Sequence, residues 1–179
     1  MTKNQLRYVA GLDPGDSTGL LIIKLDDLLS VNTLPTVYTR YQGPPGAALQ
    51  LLELAVREAA LWQENVLIAG ERFTVTDKTG KRTAQPTPLK VLGAAEQLSY
   101  EYANVEFTLQ SPADAKKLAP NDVLRDLGFY TRASDVERPD ANDVNDAARH
   151  ALLGLMRKRA SVFDALLRAA DRRNTESQR

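Results

Sequence analysis

The sequence predicts an α/β domain of three layers, α/β/α, built on a mixed five-stranded sheet. Three observations predict it. Three short β-rich runs follow one another closely between Tyr8 and Tyr41. Two further runs, Val66–Ala69 and Val105–Leu109, are each preceded by an amphipathic helical stretch, and only helical patterns follow the last of them. Closely spaced strands followed by alternating helices and strands require a sheet of mixed direction, covered on both faces.

Tyr8 to Asp13 reads as a buried strand closed by the turn Pro14-Gly15-Asp16-Ser17-Thr18-Gly19. Leu20 to Leu25 is a second apolar run, joined so tightly that an antiparallel hairpin is expected. Thr36 to Tyr41 alternates and is rich in β-branched and aromatic residues, which makes a third strand. Pro44-Pro45-Gly46 opens a helix to about Trp62, with Leu52, Ala55, Val56, Ala59 and Trp62 as its apolar face. After the fourth strand, Thr74 to Pro88 is polar and basic with Gly80, Pro86 and Pro88, and reads as a mobile loop. Val91, Ala94, Ala95, Leu98 and Tyr102 mark the second helix. Ser111-Pro112-Ala113-Asp114 has the form of a helix start, and another short helix is expected from Asn121 to Leu127. Thr131 to Pro139 is a polar connector. The strongest helix runs from about Asp143 to Arg159, with Val144, Ala147, Ala148, Ala151 and Leu155 inward. Residues 1–160 are read as the main domain. Residues 161–179 are read as a basic C-terminal helix and tail, frayed beyond Ala170.

Composition excludes several chemistries. With no cysteine and one histidine, His150, thiolate and histidine-rich metal sites are ruled out, so any metal must be held mainly by oxygen: magnesium, manganese or calcium. The N-terminus lacks a signal-peptide pattern and no apolar run approaches the roughly 20 residues of a membrane helix, so a cytoplasmic location without membrane contact is expected. Net charge is zero, with 23 basic and 23 acidic residues, but its distribution is uneven. From Arg157 to Arg179 seven bases face three acids, and Lys78, Lys81, Arg82 and Lys90 face only Asp77. Either run taken alone reads first as solvated surface; together they are candidate phosphate contacts.

Four acids stand out by position. Asp13 ends the first strand and Glu71 the fourth, while Asp143 and Asp146 open the last major helix, three residues apart and so on one face. Strand ends and helix starts are where α/β sheets build sites. Carboxylates brought close repel one another unless a cation lies between them, so such a cluster suits a divalent ion better than it suits a structural role. Two hard cations about 4 Å apart can activate water and stabilise the leaving oxygen of a phosphodiester. Each acid also has an ordinary reading: Asp13 as turn initiator, Glu71 as a solvated strand end, Asp143 and Asp146 as favourable charges at a helix N-terminus.

Gly11-Leu12-Asp13-Pro14-Gly15 with Thr18-Gly19 resembles the opening strand of RuvC-type Holliday-junction resolvases, particularly phage-encoded ones. Val66-Leu67-Ile68-Ala69-Gly70-Glu71-Arg72-Phe73 resembles that family's second acidic strand, and Asp143-Val144-Asn145-Asp146-Ala147-Ala148-Arg149-His150 its final helix. The likeness spans about Tyr8 to Arg159. It implies an RNase H-like fold and a homodimer that nicks four-way or otherwise branched DNA in pairs. It also implies two magnesium ions, or manganese, on Asp13, Glu71, Asp143 and Asp146. It puts Lys116 or Lys117 near a phosphate-contacting lysine. Phe73 becomes the candidate aromatic at the junction centre, although the residue equally suits the core, which is the favoured reading. His150, one helical turn beyond Asp146, reads as a satisfied structural histidine. If the source is a phage, the host cytoplasm is the expected location.

Rival readings remain open at this level: an RNase H-like nuclease acting on RNA, an actin-like ATPase module, and a non-catalytic junction-binding protein. A P-loop is excluded, because Val75 stands where Thr79-Gly80-Lys81-Arg82-Thr83 would need an upstream glycine.

Overall fold

The computed structural model describes residues 6–25, 34–73, 87–136 and 140–177. Strands β1 (Leu6–Asp13), β2 (Thr18–Lys24) and β3 (Thr36–Gly43) come first, followed by helix α1 (Pro45–Leu61) and strand β4 (Asn65–Glu71). Helix α2 (Thr87–Glu101) leads to strand β5 (Val105–Gln110). The short helices α3 (Pro112–Leu118) and α4 (Asn121–Asp126) precede α5 (Asn142–Lys158) and α6 (Ala160–Ser177). The sheet order is β3-β2-β1-β4-β5. β1, β2 and β3 pair antiparallel, whereas β1–β4 and β4–β5 pair parallel. Parallel pairing follows from the connections, since only the helical crossovers return the chain to the same end of the sheet.

Because side chains alternate along a strand, each strand feeds two cores. Tyr8, Ala10 and Leu12 of β1 join Leu20, Ile22, Val66 and Ile68 against Leu52, Val56 and Ala59 of α1 and Val91, Ala95 and Leu98 of α2. The opposite face sends Val9, Leu21, Ile23 and Leu67 against Ala148, Ala151, Leu152 and Leu155 of α5 and Phe163, Leu166 and Ala170 of α6. These are the three expected layers, and the near-continuous apolar runs of β1, β2 and β4 are what a sheet buried on both sides demands.

Helix α5 lies directly on the sheet. A Cβ on Gly11 would stand 1.8 Å from the Ala147 carbonyl oxygen, and one on Gly19 2.0 Å from that of Asp143. Only glycine permits this approach.

Three details differ from the sequence reading. Trp62 is 69% exposed, because it is the residue after α1 and the backbone turns away at Gln63, where φ is +56°. On α2 it is Leu92, not Ala94, that faces inward, and the helix already begins at Thr87, with Pro88 tolerated in the first turn. Helix α6 does not stop near Ala170 but continues to Ser177, held by Asn174 donating to Asp126 (3.0 Å) and by Arg173 donating to the Asp126 carbonyl. Among the described residues, the connector after Thr131 contains one 3-10 turn, Ala133–Asp135. Among the described residues no helix is long and apolar enough to cross a membrane.

Candidate functional site

The sheet itself brings the first two acids together. β1 and β4 are in parallel register through Leu12↔Gly70, so the next residues, Asp13 and Glu71, end neighbouring strands at the same edge. Adjacent strands lie about 4.8 Å apart. Both project towards α5: Gly11 touches the α5 backbone, Ala69 touches Gly154, and the residues two places further on share those faces. On the other side of β1, Asp13 pairs with Gly19, and Gly19 is pressed against the backbone of Asp143. The first turn of α5 is thus seated beside Asp13, and Asp146 follows Asp143 on the same helix face.

Asp13 registers this crowding. Its carboxyl is pushed up from 3.8 to about 8, chiefly by burial and then by the negative charges of Glu71, Asp146 and Asp143, with Lys116 working in the opposite direction. A group so placed favours either a proton or a cation.

Two of the other carboxylates have partners. Asp146 is paired with Lys116 at 3.1 Å and with Arg149 one helical step along. Arg149 also donates to the Ala119 carbonyl (3.1 Å) and to Asn121, tying the α3–α4 junction to α5. Glu71 meets the imidazole Nε2 of His150 at 3.2 Å. Among the described residues no three acidic or histidine side chains stand close enough to hold one ion jointly. The backbone delivers Asp13, Glu71, Asp143 and Asp146 to one corner of the sheet, but Asp146 is turned onto its basic neighbours and Glu71 onto His150. The donor set of oxygens around an electrostatically strained aspartate fits a hard divalent cation in its chemistry.

The start of α5 is fixed by polar residues that the sequence reading passed over. Gln42, at the end of β3, accepts the Val144 N–H (3.2 Å) and donates to the Asp140 carbonyl (3.2 Å), capping the helix from a distant strand. Buried Asn145 accepts from the Thr131 N–H (2.9 Å) and donates to the Thr131 carbonyl (3.0 Å). Gln110, buried at the end of β5, completes the frame. Its best-satisfied orientation donates to His150 Nδ1 and to the His150 carbonyl (3.1 Å each) and accepts the Gly154 N–H (2.9 Å). The available signal was the amphipathic pattern itself, which puts Asn145 and His150 on buried positions of α5 where apolar residues are the rule.

Of the remaining candidates, Lys117 is exposed on α3 and Lys90 is exposed on α2. Phe73 packs, half-buried, against the α1–α2 core, in keeping with the favoured reading. Lys78, Lys81 and Arg82, with most of the expected 74–88 loop, lie outside the described residues. Part of the C-terminal basic run is paired internally: Arg157 with Asp114 (3.1 Å) and Lys158 with Glu106.

By sequence, no family model and no curated protein matches the chain. By structure, it is similar to T. thermophilus RuvC solved in complex with a Holliday junction substrate, with a TM-score of 0.50 and 17% identity. That match covers 87% of this chain and 96% of the other. A second Thermus thermophilus RuvC structure is similar at a TM-score of 0.49 and 15% identity, covering 84% and 96%. The first of these likenesses establishes the fold, a mixed five-stranded sheet with helices on both faces, as the RNase H-like one of RuvC.

Proposed function

We propose that this chain is a divalent-cation-dependent endonuclease that cuts branched DNA, four-way junctions in particular. The observation that carries the proposal is the half-buried Asp13 carboxyl, driven up to about 8 by desolvation and by three other acids from two further elements. Clustering of this kind destabilises a fold and is retained where a positive charge is to be bound. The RuvC that shares this fold was solved on a Holliday junction, which supports branched DNA as the substrate class.

Asp13, Glu71, Asp146 and Asp143 would hold two magnesium or manganese ions, which supply water activation and charge stabilisation at the scissile phosphodiester. The chain's own groups have separate tasks. Asp13, half-buried at the C-terminal end of β1, is the ligand most strongly perturbed by the other three. Lys116, 59% exposed beside Asp146, offers a mobile positive charge to the incoming phosphate. Lys117, Lys90, Lys78, Lys81 and Arg82 are proposed as backbone contacts, which position DNA without reading its sequence. A homodimer would present two such sites related by the two-fold symmetry of a four-way junction.

The deciding experiment is cleavage of four-way, flap and linear DNA, and of structured RNA, with magnesium, by the wild type and Asp13→Asn. Metal-dependent nicking of branched DNA that the substitution abolishes is expected. Binding of junctions without cutting by either protein would convert the reading to a non-catalytic one. Cutting confined to RNA would move the substrate class, and inactivity on all of them would overturn the proposal.

A further inference from the structure

Two polar side chains lie in the core directly beneath the acidic corner, and neither belongs to the proposed ligand set. His150 and Gln110 are each 1% exposed. Burying an imidazole and a carboxamide between β5 and α5 is costly unless each polar atom is satisfied, and an apolar pair would fill the space more cheaply. The Gln110 amide spans the His150 carbonyl and the Gly154 N–H, and a side chain at position 154 would press on it, its Cβ standing 3.2 Å from the amide atom that meets the Gly154 N–H. Gly154 therefore clears the space for this contact.

That arrangement fixes the histidine. With the Gln110 nitrogen donating to Nδ1, Nδ1 is an acceptor and the ring proton sits on Nε2, aimed at Glu71 Oε2 3.2 Å away. A nitrogen that carries a proton cannot ligate a metal. Glu71 is reached from the buried side, and its side chain is still 25% exposed towards the open corner.

We propose that His150, oriented by Gln110, is a positioning residue for Glu71. It donates one hydrogen bond to the carboxylate, restricts its rotation, and leaves the other oxygen for a divalent cation; it is not itself a ligand. This rests on the reading of Asp13 and Glu71 as cation-binding groups. Partners of this kind orient metal ligands, and their loss typically lowers metal affinity about 10–100-fold.

His150 is the single histidine of the chain, so its ring nitrogens are assigned without ambiguity in tag-free, 15N-labelled protein. Long-range 1H–15N correlation is expected to show an unprotonated Nδ1 and a protonated Nε2. A proton on Nδ1 overturns the proposal without any variant being needed. Titration with Mn2+ is expected to give Asp13-dependent binding that weakens about ten-fold or more in His150→Ala and is largely restored in His150→Gln, whose amide N–H reaches the place of Nε2. Pulsed EPR of the Mn2+ complex should show no directly coordinated nitrogen; finding one would make His150 a ligand and overturn the positioning role. Asp13-dependent Mn2+ binding that ignores the His150 substitutions refutes this inference alone. Absence of any Asp13-dependent binding refutes the nuclease reading, and this inference falls with it.

Discussion

Replacing Asp13 by asparagine should flatten the pH dependence of stability in metal-free buffer. The Asp13 carboxyl titrates at about 8 in the folded chain against 3.8 in a free one. The native state thus holds a proton that the unfolded state has released throughout the interval between these values. Stability is fully present below about pH 4, declines as pH rises through the interval, and levels off above about pH 8. At about 1.4 kcal/mol per pH unit, roughly three units separate pH 7 from the unfolded titration, which gives a ceiling of about 4 kcal/mol. Relaxation and water at the rim of the corner reduce this, and ~1–3 kcal/mol is the working expectation, or ~3–10 °C in Tm for a chain of this size. The assay is urea and thermal denaturation from pH 5 to 9 with EDTA. The wild type should lose stability with rising pH, while Asp13→Asn changes far less, whatever constant offset the new amide introduces. Magnesium should then raise the wild-type Tm at pH 8 and leave the variant unmoved. Parallel pH curves for the two proteins would refute the account of a carboxylate strained by its neighbours.

Three further outcomes are expected. Gly19→Ala forces a methyl into the Asp143 carbonyl and should destabilise by ~3 kcal/mol in urea melts; a wild-type midpoint would show that α5 is not seated as described. Gln42→Ala leaves the Val144 N–H without its acceptor and should cost ~1–2 kcal/mol, with faster hydrogen exchange at the Val144 amide as the specific readout. Affinity for a four-way junction should fall steeply between 50 and 200 mM salt, by about ten-fold or more, if several lysines contact phosphate; equal affinity at both would remove Lys78, Lys81, Arg82, Lys90 and Lys117 from the interface.

Much of the architecture was legible because burial on both faces of a sheet writes itself into composition. The runs Tyr-Val-Ala-Gly-Leu in β1 and Val-Leu-Ile-Ala-Gly in β4 contain no charge until Asp13 and Glu71, and that abrupt change marks both the strand ends and the candidate site. Periodicity failed where a helix ended. Trp62 continues the spacing of α1 but falls just past its last turn, so its ring points to solvent. It also failed on α6, because the contacts that carry this helix to Ser177 are made with Asp126, some 47 residues earlier in the chain.

The sequence alone determined which residues could serve: four carboxylates at strand ends and a helix start, in a chain with no cysteine. Only the tertiary structure decided how they meet. Parallel register of β1 with β4 puts Asp13 beside Glu71, and two glycines let α5 descend onto β1 and β2. The same packing turns Asp146 onto Lys116 and Arg149 and sets His150 behind Glu71. Such choices lie beyond local patterning, because a side chain's rotamer and partner are fixed by atoms from segments far away in sequence, and those distances exist only once the chain has folded.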